Sequence, residues 1–273
     1  MNMQFTLAAW AAVAAVAMIV SAFAPSHAQE FGRPQGSAPT CAAPADLTRL
    51  DHPLARTSRR LAAGAPLTIV AIGSSSTAGA GASSPTVSYP SRLAVELTQR
   101  FPANVITVLN RGANGEDARE MLARFNESVI AEKPDLVLWQ VGTNSLLLDR
   151  PLDRAGALIH EGLVKLKASG IDVVLIDPQF APKVLAKPNI GQLMDLYSAI
   201  AKQGNVGTFH RFAVMRQWRQ VAGIPFNAFL SPDELHMNDW SYACVAKLLA
   251  AAIAEAATRP STVAHSPSLG PSR

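Results

Sequence analysis

Leu67-Thr68-Ile69-Val70-Ala71-Ile72-Gly73-Ser74-Ser75-Ser76-Thr77-Ala78-Gly79 is the stretch that decides how this chain folds. Its first half is apolar and β-branched, as expected of a strand buried on both faces of a parallel sheet. Its second half is a loop of small residues at that strand's carboxyl end, where open α/β sheets gather their ligands. Small residues let backbone N–H groups approach a substrate closely, and three consecutive hydroxyls are candidates for nucleophilic attack.

Three other motifs fit this loop less well. A phosphate loop of the form GxxxxGK(S/T) needs a lysine, and the nearest cation downstream is Arg92. Gly79-Ala80-Gly81-Ala82-Ser83-Ser84 imitates a dinucleotide-binding turn but lacks its third glycine. A GxSxG nucleophile elbow fails because Thr77 stands where the last glycine belongs. Taken alone, the segment is equally compatible with a flexible turn that has no chemistry.

A second segment supplies the missing base. Ser231-Pro232-Asp233-Glu234-Leu235-His236 opens with a turn signal and sets a carboxylate three residues before an imidazole. A general base needs its second ring nitrogen held by an acceptor, and Asp233 can do this within one loop. Of the other histidines, His27 lies in an apolar leader, His265 in a polar tail and His52 ahead of the first strand. His160 falls inside a helical stretch, Asp153 to Ala168, and His210 follows a short strand, Val206 to Phe209; both read as structural or solvated. His236 is the candidate base.

Two more loops follow predicted strands. Val105 to Leu109 leads into Asn110-Arg111-Gly112-Ala113-Asn114-Gly115-Glu116-Asp117, and Leu136 to Val141 leads into Gly142-Thr143-Asn144-Ser145. A glycine N–H and an asparagine amide can donate to the oxyanion of a tetrahedral intermediate. They are also ordinary turn residues.

The order Ser, Gly, Asn, Asp-x-x-His along one α/β chain resembles the SGNH or GDSL hydrolase superfamily, from about Leu67 to about Ala256. The pattern GDSxSxG aligns with Gly73 to Gly79. The resemblance implies Ser75 as nucleophile, the N–H groups of Ser75 and Gly115 with the Asn144 amide as oxyanion hole, and Asp233 with His236 as the rest of a triad. It also implies a three-layer, flavodoxin-like α/β/α fold with five parallel strands. Two carboxylates of the family pattern are absent: Ser74 replaces the Asp before the nucleophile, and Ser145 the Asp after the block-three Asn. Hydrogen bonding around the site must therefore differ.

The composition, 49% hydrophobic and 16% charged, is that of a globular chain. Net charge is +4, but the basic residues are scattered without a run or an aromatic-interleaved stripe, which argues against nucleic acid. Leu7 to Val20 is almost wholly apolar and Ser26-His27-Ala28 is a small-x-small cleavage pattern, so residues 1–28 read as a signal peptide and the protein as periplasmic or secreted. An uncleaved anchor is the alternative; after cleavage no stable membrane insertion is expected. Export would let Cys41 and Cys244 pair, although Cys244 also sits on an apolar helical stripe where free cysteine is common.

Residues 29–60 read as an N-terminal linker or extension, 61–258 as the hydrolase domain, and 259–273 as a disordered tail. Helices are expected over Tyr89 to Phe101, Asp117 to Ala131 and Trp240 to Ala256, and further strands at Val173 to Ile176 and Val206 to Phe209. Asp117 with Glu120 reads as a capping pair. The loop from Pro178 to Gly191, with Phe180, Val184 and Leu185 between prolines, reads as a lip of the acyl pocket or as a surface loop of no function. No metal or organic cofactor is implied. The expectation is an exported serine esterase or acyl hydrolase working through an acyl-enzyme on a small-molecule or glycan ester. A catalytically silent glycan-binding protein and an acyltransferase to a sugar are the alternatives. Substrate and oligomeric state are left open.

Overall fold

The computed structural model describes residues 39–259. The expected signal peptide, its cleavage pattern and the tail from residue 260 lie outside them. Five parallel strands form one sheet: β1 (Leu67–Gly73), β2 (Ile106–Gly112), β3 (Leu136–Gln140), β4 (Asp172–Ile176) and β5 (Gly207–Phe209), in the order β2-β1-β3-β4-β5. This is the flavodoxin-like order that was expected. β1 is central; Leu67 to Gly73 pair with Ile106 to Gly112 on one side, and Ile69 to Ile72 with Leu136 to Trp139 on the other.

Right-handed crossovers place the layers. The β1-to-β2 connection runs opposite to those leading to β3, β4 and β5, so its helix Tyr89–Arg100 lies on the other face from Leu152–Ala168 and Ile190–Gly204. The last helix, Asp239–Thr258, packs on Tyr89–Arg100 and closes that layer with Val245, Leu249 and Ile253 fully buried. Reversal of direction between β1 and β3 leaves a crevice beyond their carboxyl ends. Ser75 follows the first of these strands and Asn144 the second.

Three expectations change. β2 extends through Asn110, Arg111 and Gly112, so the loop carrying Gly115 is shorter than its sequence suggests. The helix expected over Asp117 to Ala131 is broken into Ala118–Ala123 and Phe125–Ser128. At the break, the Arg124 guanidinium is held by the Glu116 carboxylate and donates to the Arg111 carbonyl, and the turn lets Phe125 and Val129 both reach the core.

The third change concerns residues 39–60, which, of the two readings, linker or extension, pack as an ordered extension. Cys41 is disulfide-bonded to Cys244, and the indoles of Trp218 and Trp240 donate to the carbonyls of Ala42 and Pro39. Leu50 and Leu54 are buried in the core. Helix Ala55–Ala62 is fastened beneath the sheet, where Arg56 and Arg60 each donate to Asp135 and Thr57 donates to Asp172. Burial pushes the Asp135 carboxyl up, but the two arginine hydrogen bonds outweigh it and hold the carboxyl below its ordinary range. A Pro- and Ala-rich composition here conceals a strap that is tied down by a few specific contacts.

Candidate active site

Ser75 opens a one-turn helix, Ser75–Ala78, immediately after β1. Of the three consecutive hydroxyl residues, Ser74 and Ser76 are buried and only Ser75 is partly open. Its Oγ lies 2.8 Å from His236 Nε2. On the opposite side of the ring, Nδ1 is 2.5 Å from Asp233 Oδ2. A carboxylate only accepts, so Nδ1 carries the proton and Nε2 is left to accept from the Ser75 hydroxyl.

The loop holding this ring is self-locking. Asp233 Oδ1 accepts from the N–H groups of Leu235 and His236, the Ser231 N–H donates to the His236 carbonyl, and Glu234 takes the left-handed conformation at φ 58°. Burial alone raises the Asp233 pKa, but the bonds from the His236 ring and from the two amides prevail and hold it below the ordinary carboxylate range.

Asn144 donates through Nδ2 to the Glu116 carbonyl at 2.8 Å, which joins the loop after β3 to the loop carrying Gly115. The expected capping box is present, with Asp117 accepting from the Arg119 N–H and Glu120 from the Asp117 N–H. Gly115 has φ 79° and open space where a side chain would project. Asn110 Nδ2 donates to the Thr77 carbonyl, which binds the end of β2 to the Ser75 turn.

The missing family carboxylate at Ser74 has a substitute that the sequence analysis overlooked. Gln140, fully buried at the end of β3, accepts at Oε1 from the Ser74 N–H (3.0 Å), the Ser74 hydroxyl (3.1 Å) and the Thr77 hydroxyl (3.2 Å). A polar residue inside the apolar run Leu136 to Val141 was the only signal. Gln179 was overlooked as well. Its Oε1 faces Arg211 Nη2 (3.0 Å) and Thr143 Oγ1 (3.3 Å), which leaves Nε2 to donate to the Leu235 carbonyl (3.3 Å). One side-chain amide thus spans the Asn144 turn and the His236 loop. Arg211 is itself completely buried, which lowers its pKa despite Asp177 and three tyrosines nearby. Burial pushes the hydroxyl of one of these, Tyr89, up to about 12, so it serves as a neutral partner of Thr77.

The expected acyl-pocket lip is different in kind. Phe180 and Val184 are buried, Phe180 against Phe212 and Phe226, and only Leu185 reaches the surface. His210 lies 3.5 Å from Asp177; the hydrogen bond to that carboxylate raises its pKa against the opposing effect of burial. Among the described residues no cluster of three or more His, Cys, Asp or Glu is placed to hold a metal ion.

An acetylxylan esterase from Geobacillus stearothermophilus is 29% identical over 147 residues, which is 50% of this chain and 67% of that protein. A two-domain esterase active on acetylated mannans superposes with TM-score 0.62 at 23% identity. The superposition covers 77% of this chain and 56% of that one, so the chain spans little more than half of that two-domain protein. An acetyl xylan esterase matches over its full length, with TM-score 0.59 at 18% identity over 68% of this chain. At these identities the solved structures speak for the fold. The sequence itself matches the family described as the Non-GDSL lipase-like family from residue 40 to residue 259, and the chain belongs to that family.

Proposed function

We propose that this protein is an exported serine esterase of the SGNH type that removes O-acetyl groups from a glycan through an acyl-enzyme. The chain is a carboxylic ester hydrolase, and the observation that carries the mechanism is the line Ser75 Oγ, His236 Nε2, His236 Nδ1, Asp233 Oδ2. Ser75 Oγ attacks the ester carbonyl carbon while Nε2 takes the hydroxyl proton. The imidazolium so formed is stabilised by Asp233. The oxyanion is received by the Ser75 and Gly115 N–H groups and the Asn144 amide, one N–H of which is already committed to Glu116. His236 returns the proton to the sugar oxygen as the C–O bond breaks. Water then repeats the sequence on the acyl-Ser75 and releases acetate.

The glycan acetyl substrate is supported by the relatives, whose names specify acetylated xylan and mannan. Export is supported by the apolar leader and by the Cys41–Cys244 disulfide, a bond that persists in oxidising compartments. The test is Ser75→Ala beside Ser74→Ala, assayed on p-nitrophenyl acetate and acetylated xylan, with labelling by a fluorophosphonate. Ser75→Ala should lose turnover by several orders of magnitude and take no label, whereas Ser74→Ala keeps both. Wild-type turnover by Ser75→Ala would overturn the mechanism. Envelope material carrying an intact Met1 would overturn cleavage near Ala28.

A further inference from the structure

A cavity of about 130 Å³ is lined by residues that follow the two loops proposed to form the oxyanion hole. Ser145, directly after Asn144, forms part of its wall, and so does Asp117, two residues after Gly115; the Cα atoms of these wall residues therefore lie within about 8 Å of those of Asn144 and Gly115, at 3.8 Å per residue. Pro151, Ala155 and Leu158 make an apolar side, and three arginines, Arg119, Arg150 and Arg154, line the rest.

The charge does not cancel. Among the described residues Asp117 is the only acidic one in the wall, and its carboxylate is occupied by the Arg119 N–H in the capping box and lies 3.9 Å from the Arg150 guanidinium. Arg119 and Arg154 are exposed and make no ion pair among the described residues. Guanidinium groups around an apolar side suit a sugar ring that carries a carboxylate, since the fork binds the anion while the ring packs on the apolar wall.

We infer that this cavity is a subsite for an acidic sugar, so that the ester substrate is an O-acetylated glycan containing uronate units. The inference rests on the esterase reading and narrows its substrate class. Neutral acetylated glycans would reach Ser75 but leave the arginines unused.

A matched substrate pair tests it: mono-O-acetylated methyl galacturonoside and mono-O-acetylated methyl galactoside, which differ only in a carboxylate against a hydroxymethyl group. Wild-type kcat/KM should favour the uronoside by about fivefold or more at low salt, the scale of one or two exposed ion pairs. That preference should vanish between about 0.01 M and about 1 M salt, as the screening length falls from about 30 Å to about 3 Å. The double variant Arg119→Gln, Arg154→Gln should lose the preference at low salt while p-nitrophenyl acetate turnover is unchanged. Equal turnover of the two glycosides by wild type, or a preference untouched by both salt and the double variant, overturns the subsite. The salt series needs no variant, so misfolding cannot mask the answer. Failure of wild type on p-nitrophenyl acetate would instead sink the esterase reading itself.

Discussion

Ser74, the residue before the candidate nucleophile, gives both its N–H and its hydroxyl to one oxygen, Oε1 of Gln140, at 3.0 and 3.1 Å. The bond pair crosses from β1 to β3 inside the core, so the turn that aims Ser75 is set by a neighbouring strand. Gln140→Leu would leave these two donors buried without an acceptor, at about 1–3 kcal/mol per orphaned group, while the Thr77 hydroxyl keeps Tyr89 as a partner. The expected outcome is a loss of about 2–5 kcal/mol in urea unfolding together with a lower kcat, whereas Gln140→Glu, which keeps the accepting oxygen, retains more activity than Gln140→Leu. Equal activity in both variants would deny Gln140 its positioning role.

Gly81 backs the histidine loop. A Cβ there would lie 2.3 Å from Ser231 Oγ, 2.5 Å from the Met237 carbonyl oxygen and 3.0 Å from His236 Cβ, on a backbone at φ 87°. Gly81→Ala should therefore push His236 off Ser75 and lower kcat by at least about tenfold, a loss of the size that small misplacements of catalytic groups produce. Gly115→Ala meets nothing within 4 Å and carries only the left-handed backbone penalty, about 1–2 kcal/mol. Parallel kinetics and melting curves separate the two: Gly81→Ala is the worse for turnover.

His236→Ala should be more damaging than Asp233→Asn. Serine-protease precedent puts the loss of the orienting carboxylate near 10⁴-fold. Here the Asp233 side chain is 43% exposed and the His236 backbone is also held by Ser231, so a smaller loss is expected, measured on one ester with folding checked by circular dichroism. Equal or reversed losses would mean that Asp233 does more than orient the ring.

The same carboxylate predicts a pH signature. Its folded pKa lies below the ordinary 3.8, so its stabilising contribution is complete above that value and is lost as pH falls through the depressed one. The difference in Tm between wild type and Asp233→Asn should be constant from neutral pH to about 4 and shrink below it.

Removing the Cys41–Cys244 disulfide should destabilise the fold by up to about 5 kcal/mol, the chain-entropy ceiling for a separation of 203 residues. Cys41→Ser with Cys244→Ser should lower Tm while leaving kcat on p-nitrophenyl acetate near wild type, because neither cysteine touches Ser75 or His236. Unchanged Tm would show that the strap's indole bonds and buried leucines suffice without the covalent link.

Local patterning was enough to determine the sheet and the order of the chemistry. Apolar runs bounded by small-residue loops specify buried parallel strands, because a strand covered on both faces needs apolar residues at nearly every position, as β1 and β3 have apart from Thr68 and Gln140. Asp233 and His236 were legible as a pair because three residues of one loop separate them. Only tertiary structure could decide the long-range part. Gln140 and Gln179 act on residues 66 and 56 positions away, respectively, and nothing in their own neighbourhoods announces it beyond a polar side chain near an apolar strand. The order of the strap from residue 39 to 60 was hidden for the same reason: it comes from partners as distant as Cys244 and Trp240, whereas composition reports only local preference. Phe180 and Val184 read as a pocket lip from their place between prolines, but both are buried, Phe180 against the rings of Phe212 and Phe226 from a distant part of the chain.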